Sequence, residues 1–153
     1  HRMTTTPRPE ATAAANWWAD KLAGGRPNHN TGDAVVELMV AIVGNQERRT
    51  RTPDEVKGFR TALISLIESN IEHSIANGGW RPGIPYRGVA DRAIFNDYGP
   101  DQILETAAQA AGFTLGKYEL PFKTRMWIDP GSVRVSEGYG APIATVWGQD
   151  ATE

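Results

Sequence analysis

Apolar residues recur at helical spacing through the first two thirds of the chain and alternate with polar residues near its end. The longest helical stripe, at i, i+3, i+4 and i+7 spacing, consists of Val56, Phe59, Leu63, Ile64, Ile67, Ile71 and Ile75. The tetrapeptide T-P-D-E that begins at Thr52 supplies an N-cap, a proline at the first helical position and a glutamate three residues after the cap. We therefore predict a long helix from Pro53 to about Ala76 and expect it to be the central packing element.

Two shorter helices are predicted on either side of this long helix. The first begins near Thr12 and ends before Gly24, and its apolar residues at helical spacing are Ala13, Ala14, Trp17, Trp18 and Leu22. The second begins at G-P-D, residues 99–101, and stops at Gly112. Residues 34–43 are apolar on nearly every side, which fits either a helix that is buried all round or a core strand. Their Glu, Leu, Met and Ala content favours the helix.

The periodicity changes from 3.6 to 2 in the last third of the chain. Apolar and polar side chains alternate over residues 124–129 and again over 133–136, with D-P-G-S between them, which predicts a β-hairpin. Residues 143–147 predict a third strand. The predicted fold class is therefore α+β, with N-terminal helices packed on a small C-terminal antiparallel sheet made of the hairpin plus one strand.

The length of 153 residues suits one domain. We expect residues 1–11 to be a disordered tail, within which His1 and Arg2 precede Met3 and are interpreted as a cloning remnant. Residues 12–148 are predicted to form a single α+β domain, and residues 149–153 to fray. Removing residues 1–10 is then expected to leave stability unchanged.

Composition and charge narrow the classes of function. The formal net charge of −2 disfavours generic binding to duplex nucleic acid, which usually needs a basic excess. The sequence contains no cysteine, which excludes disulfides and cysteine-held metal centres and fits a cytoplasmic location. No apolar run reaches the roughly 18 to 20 residues of a membrane span, so no membrane association is expected.

The sequence predicts neither a cofactor nor a metal ion. His29 and His73 show no metal-ligand spacing and are expected to be solvated. The glycine-rich stretches 78–88 and 138–140 match no phosphate-binding motif and are interpreted as turns.

The polar face of the predicted hairpin is the main candidate binding surface. Strand alternation places the apolar side chains of the hairpin toward the helices and its cationic and aromatic side chains outward. The candidate binding residues are Lys123, Arg125, Trp127, Arg134 and Tyr139. Cationic and aromatic groups on one surface suit an acidic protein partner, a phosphate ligand or single-stranded nucleic acid. The alternative is an ordinary solvated face, on which arginine stems cover the tryptophan.

Two stretches of the sequence suggest a source. D-Y-G-P-D-Q-I-L, residues 97–104, and the stretch F-K-T-R-M-W-I-D-P-G-S-V-R-V-S-E-G-Y-G-A-P, residues 122–142, together resemble a group of small uncharacterised proteins of bacteriophages and mobile elements. The resemblance implies an accessory role in a high-GC, actinobacterial-type host and brings no catalytic residues with it.

The leading interpretation is a non-enzymatic interaction protein, encoded by a phage or mobile element, that binds and modulates a host protein or complex such as a defence system. One alternative is a binder of a nucleotide or other small anionic ligand that uses Lys123, Arg125, Arg134 and Tyr139. A concave pocket would favour this alternative, whereas a flat sheet face would not. Another alternative is a small enzyme with Asp97, Lys123 or Glu137 as acid or base.

Overall fold

The computed structural model describes residues 6–24, 51–81, 92–97, 99–116, 119–121, 123–138 and 140–148. These ranges contain the helices α1 (Pro9–Leu22), α2 (Pro53–Ala76) and α3 (Gln102–Ala110), and the strands β1 (Ala93–Asn96), β2 (Thr124–Asp129), β3 (Ser132–Glu137) and β4 (Ala144–Gly148). The strands form one antiparallel sheet in the order β1-β2-β3-β4. The α+β class predicted from the sequence is confirmed. Residues 34–43, for which helix and strand remained open, lie outside the described residues.

Helix α2 begins as its sequence predicts. The Thr52 hydroxyl accepts a hydrogen bond from the Glu55 backbone N–H, and the Glu55 carboxylate accepts one from the Thr52 N–H, each at 3.0 Å. This capping box satisfies two amides that the first helical turn cannot pair internally. The predicted stripe is buried as far as Ile71 apart from Ile64, which is partly buried, and Ile75 at its end is 43% exposed. The burial of the stripe makes α2 a major element of the core.

Helix α1 packs both on α2 and on strands β2, β3 and β4. Its buried side chains are mostly alanines, with Trp18 fully buried among them. Small alanine side chains let the helix backbone approach the sheet and α2 closely. The inner face of the sheet, which meets the helices, contributes the buried side chains Ile94, Met126, Ile128, Val133 and Val135 to the same core.

Strand β1 was not predicted, so the sheet has four strands where the sequence indicated three. It pairs with β2, with Ile94 opposite Met126 and Phe95 opposite Arg125. The strand has only four residues, and it precedes α3 in the chain. Alternation over so few residues, inside a run rich in Asp, Arg and Asn, gives too short a pattern to identify a strand.

Two buried arginines hold the helices to the chain that leads into the sheet. Arg51 pairs with Glu119 at 2.6 Å and stacks over the Phe113 ring at 4.2 Å, which ties the start of α2 to the segment after α3. The hydrogen bond to Glu119 raises the pKa of Arg51 above its ordinary value, so the guanidinium stays charged. Arg92 is 1% exposed and donates to the Asp129 carboxylate and to the Gly79 carbonyl, which ties the end of α2 to β2.

Helix α1 starts at Pro9, three residues before the expected start at Thr12, and the residues around its start are held in place. Arg8 pairs with Glu68 of α2 at 2.7 Å. The Glu10 carboxylate is buried and accepts a hydrogen bond of 2.8 Å from the Gly131 N–H in the β2–β3 turn. Removing residues 1–10 should therefore lower stability, contrary to the expectation from the sequence.

We expect Glu10→Ala to lower the free energy of unfolding by about 1 to 3 kcal/mol, because it leaves the Gly131 amide without its charged acceptor. Urea denaturation followed by circular dichroism measures this change. Asp20→Ala is the matched control, since Asp20 is an exposed acid on the same helix and should change stability by less than about 0.5 kcal/mol. Equal unfolding midpoints for the two variants would show that the hydrogen bond between the Gly131 N–H and the Glu10 carboxylate adds no stability.

Candidate functional site

The face of the sheet that points away from α1, here called the outer face, carries Arg125, Trp127 and Arg134, three of the residues that the sequence singled out. Directly paired residues of an antiparallel sheet project to the same side. The pairing gives one row of Phe95, Arg125 and Ser136 across β1, β2 and β3, and a second row of Ala93, Trp127 and Arg134. The predicted alternation is therefore correct, with Arg125, Trp127 and Arg134 all on the outer face.

The expectation that Trp127 is exposed is wrong. Its side chain lies on the outer face, yet it is only 6% exposed. It also does not belong to the hydrophobic core cluster on the inner face. Trp127 is therefore covered locally on the outer face, where it lines a cavity together with the chain that follows β3.

This cavity has a volume of about 500 Å³. It is lined by Lys123, Arg125, Trp127, Ser136, Gly138, Gly140, Ala141 and Ile143. Its volume falls in the range of about 300 to 1,000 Å³ that is usual for ligand sites. The outer face is therefore concave at this end of the hairpin, which the sequence could not establish.

Four residues that follow β3 in the chain form one wall of the cavity: Gly138, Gly140, Ala141 and Ile143. Gly138 and Gly140 have φ angles of 103° and 70°, a conformation that other residues rarely adopt. The Ser136 hydroxyl donates to the Ala141 carbonyl at 2.7 Å, and the Ala141 N–H donates to the Gly138 carbonyl at 3.2 Å. These bonds fix the wall beside Trp127.

The cations of the outer face differ in what they contact. Lys123 pairs with Asp97 at 3.0 Å, and Arg134 pairs with Asp129 at 3.0 Å. Arg125 is exposed and forms no ion pair with any other residue in the ranges that the structure describes. Of the cations that the sequence proposed for binding, Arg125 therefore has its charge most available for a ligand.

Lys123 also has an unusual backbone. It is the one residue other than glycine in the described ranges with a positive φ, at 55°. This conformation costs a lysine some energy, and such residues cluster at functional sites. Here it sets the position of Lys123 at the entry to β2, where its ammonium group reaches Asp97.

Two exposed apolar side chains flank Arg125. Phe95, directly opposite Arg125 on β1, is 45% exposed, and Ile143 on the cavity wall is 50% exposed. The third large exposed apolar residue of the described ranges, Ile75, lies on α2 away from this face. Phe95 was not a candidate in the sequence analysis, because β1 was not predicted, and Ile143 was predicted only as the start of a strand.

The remaining candidates do not converge on an acid–base site. Glu137 lies in the row of Thr124 on the inner side and pairs with Lys21 of α1 at 3.0 Å, whereas Asp97 and Lys123 pair with each other. His73 is exposed near the end of α2. Tyr139 and His29 lie outside the described residues.

Within the part of the chain that the structure describes, no group of three or more His, Asp or Glu side chains is placed to hold a metal ion. Among the helices of that part, none combines the length and the apolar character that crossing a membrane requires.

Comparison with known proteins identifies the family. Residues 33–147 match the BTG family. A BTG family protein of Dictyostelium discoideum is 31% identical over 135 residues, which cover 87% of this chain and 25% of that protein. Protein Tob1 of mouse is 30% identical over 120 residues, which cover 77% of this chain and 31% of that protein. The chain thus spans about a quarter to a third of the length of these relatives.

A solved structure supports the fold assignment. The BTG/Tob domain of C. elegans FOG-3 superposes with a TM-score of 0.57 at 17% identity, over 92% of this chain and 82% of that one. The inferred resemblance to proteins of phages and mobile elements in high-GC hosts is wrong, because the relatives found are BTG and Tob proteins of a slime mould and of mammals. The match to the family over residues 33–147 shows that this chain belongs to the BTG family.

Proposed function

We propose that this BTG-family domain is a non-catalytic protein-binding module and that it binds its partner through the outer face around Arg125. The observation that carries the proposal is the position of two of the three large exposed apolar side chains in the described ranges: Phe95 pairs directly with Arg125, and Ile143 lines the same cavity as Arg125. Exposed apolar groups around an arginine are typical of the residues that dominate binding energy in interfaces.

Membership of the BTG family supports a protein-binding role, because its members act through interactions with other proteins. Trp127 also supports the assignment of this surface, because its buried side chain lines the cavity beside Arg125. A packed side chain at the base of a binding site keeps the surrounding side chains in position in the free protein, which lowers the entropy cost of binding. The cytoplasmic location expected from the sequence stays a prediction.

The second candidate function is binding of a small anionic ligand in the cavity, as the concave shape would allow. A nucleotide presents several negative charges and would need several available cations. Lys123 is already paired with Asp97, and Arg134 with Asp129. The arrangement thus suits a single anionic group better than a polyphosphate.

The proposal predicts that the double variant Phe95→Ala and Ile143→Ala folds normally and loses its partner. Purified wild-type and variant proteins are immobilised, and the proteins that each captures from cell extract are quantified by mass spectrometry. Since truncating one central interface residue typically costs about 2 kcal/mol, recovery of the specific partner should fall at least tenfold.

The matched control is Ile75→Ala, which removes the same kind of exposed apolar side chain from α2. The Ile75→Ala variant should capture as much of the partner as the wild-type protein does. Undiminished capture by the double variant, or an equal loss with Ile75→Ala, would contradict the assignment of the outer face as the binding surface.

A further inference from the structure

The described residues that line the cavity carry positive charges and no negative charge. Among the described residues that line it, Lys123 and Arg125 are ionisable and none is a carboxylate. Asp97, which is not one of these lining residues, pairs with Lys123. The chain as a whole has a formal net charge of −2, so this cavity is positively charged on a mildly acidic protein.

The apolar part of the lining lies beside this charge. Trp127 contributes the floor, and Ala141 and Ile143 contribute the wall. The Ser136 hydroxyl, which also lines the cavity, donates to the Ala141 carbonyl. A ligand that fits this lining has an apolar group for the tryptophan and one negative group for the arginine.

We infer that the cavity receives an acidic, apolar segment of the partner protein, with a carboxylate on Arg125 and a neighbouring aromatic or aliphatic side chain against Trp127 and Ile143. The inference rests on the proposed function, since it names the chemistry of the partner at the same surface. Charge complementarity carries it: an exposed arginine with no ion pair in the described ranges can donate two parallel hydrogen bonds to one carboxylate. Long-range electrostatic attraction also raises the rate at which a negatively charged partner associates with this face.

The shape of the site supports a peptide segment over an isolated ion. A volume of about 500 Å³ is open enough for more than one side chain, and the exposed Phe95 extends the apolar surface beyond the cavity along the same row as Arg125. A peptide that lies across this row would contact Phe95 and Arg125 and place one side chain in the cavity. An isolated anion would leave the apolar lining without a partner.

The test uses three short fluorescein-labelled peptides, in which Phe alternates with Glu, with Gln or with Lys. Fluorescence anisotropy measures the affinity of each peptide for the wild-type protein. We expect the Glu peptide to bind at least tenfold more tightly than the Gln peptide, because a charged hydrogen bond is worth about twice a neutral one. Arg125→Glu should lose the Glu peptide and gain affinity for the Lys peptide.

The control is Lys57→Glu, which makes the same change of charge at an exposed position of α2. It should leave the affinities for all three peptides unchanged. If Arg125→Glu does not fold, as judged by its thermal melt, Arg125→Gln replaces it and should bind the Glu and Gln peptides equally. Peptide affinities that do not depend on the residue at position 125 would overturn the inference.

Other occupants of the cavity give other results. Inorganic phosphate that displaces the Glu peptide at millimolar concentration, with no effect of replacing Phe in the peptide, would show a small-anion site and overturn the inference. Sedimentation that shows a dimer lost in Arg125→Glu would place a second copy there, with the same consequence. The Glu peptide could fail to bind while the double variant Phe95→Ala and Ile143→Ala still loses its partner in the capture experiment. In that case the inferred acidic partner segment is wrong and the proposed function stands.

Discussion

Replacing Trp127 with alanine is expected to lower the free energy of unfolding by about 3 to 5 kcal/mol, the usual cost of removing a buried aromatic side chain. The indole is 6% exposed and forms the floor of the cavity on the outer face. Its removal would enlarge that cavity and leave the lining residues Ala141 and Ile143 with less to pack against. Chemical denaturation of the purified protein measures the loss.

Arg125→Ala is the control for Trp127→Ala, because the two residues lie on the same face of β2 and differ in exposure. We expect Arg125→Ala to change the free energy of unfolding by less than about 0.5 kcal/mol, as exposed substitutions usually do. A Trp127→Ala variant as stable as Arg125→Ala would mean that the tryptophan is not packed in the folded protein. Because Trp127→Ala is expected to lose so much free energy of unfolding, it cannot distinguish a loss of binding from a loss of folding. Substitutions of Arg125 can make that distinction.

The second large effect is expected in α2. Leu63→Ala should lower the free energy of unfolding by about 2 to 5 kcal/mol, because Leu63 is fully buried where α2 packs against its neighbours. Ile75→Ala, on the same helix but 43% exposed, should cost much less. Thermal and urea unfolding of the two variants give the comparison. A Leu63→Ala variant that melts within about a degree of the wild type would remove α2 from the core.

Features that depend on neighbouring residues could be predicted from the sequence. The capping box at Thr52 and Glu55 is a local arrangement that a few side chains and amides determine among themselves. The alternation that sends Met126 inward and Arg125 outward follows from strand geometry once the hairpin turn is placed. Both were confirmed because neither depends on a distant part of the chain.

Features that depend on distant residues could not be predicted. The burial of Trp127 depends on how the chain after β3 folds back, which is fixed by backbone angles at Gly138 and Gly140. The pairing of Lys123 with Asp97, which leaves Arg125 as the available cation, joins two segments separated by α3. The sequence therefore predicted which side chains share the outer face, but not the concave shape of that face or which of its cations lacks an ion pair in the described ranges.

The error about the source of the protein has a structural explanation. One of the two stretches that suggested phage proteins contains the N-cap of α3, where the Asp101 carboxylate accepts from the Ile103 and Phe95 amides. The other stretch contains the β2–β3 hairpin and its turn. Caps and hairpins recur in unrelated proteins because they satisfy local backbone geometry. Both stretches lie within residues 33–147, which match the BTG family, so the source inferred from them is wrong although the elements they predicted are present.

Site-specific photocrosslinking tests the central claim, that the outer face binds a protein partner, most directly. A benzophenone amino acid replaces Phe95, Ile143 or Ile75 one at a time, and each purified protein is irradiated in cell extract. The account predicts a shared crosslinked protein from positions 95 and 143 and little from position 75, although all three side chains are similarly exposed. Crosslinking that is as strong from position 75 as from positions 95 and 143, or confined to position 75, would contradict it.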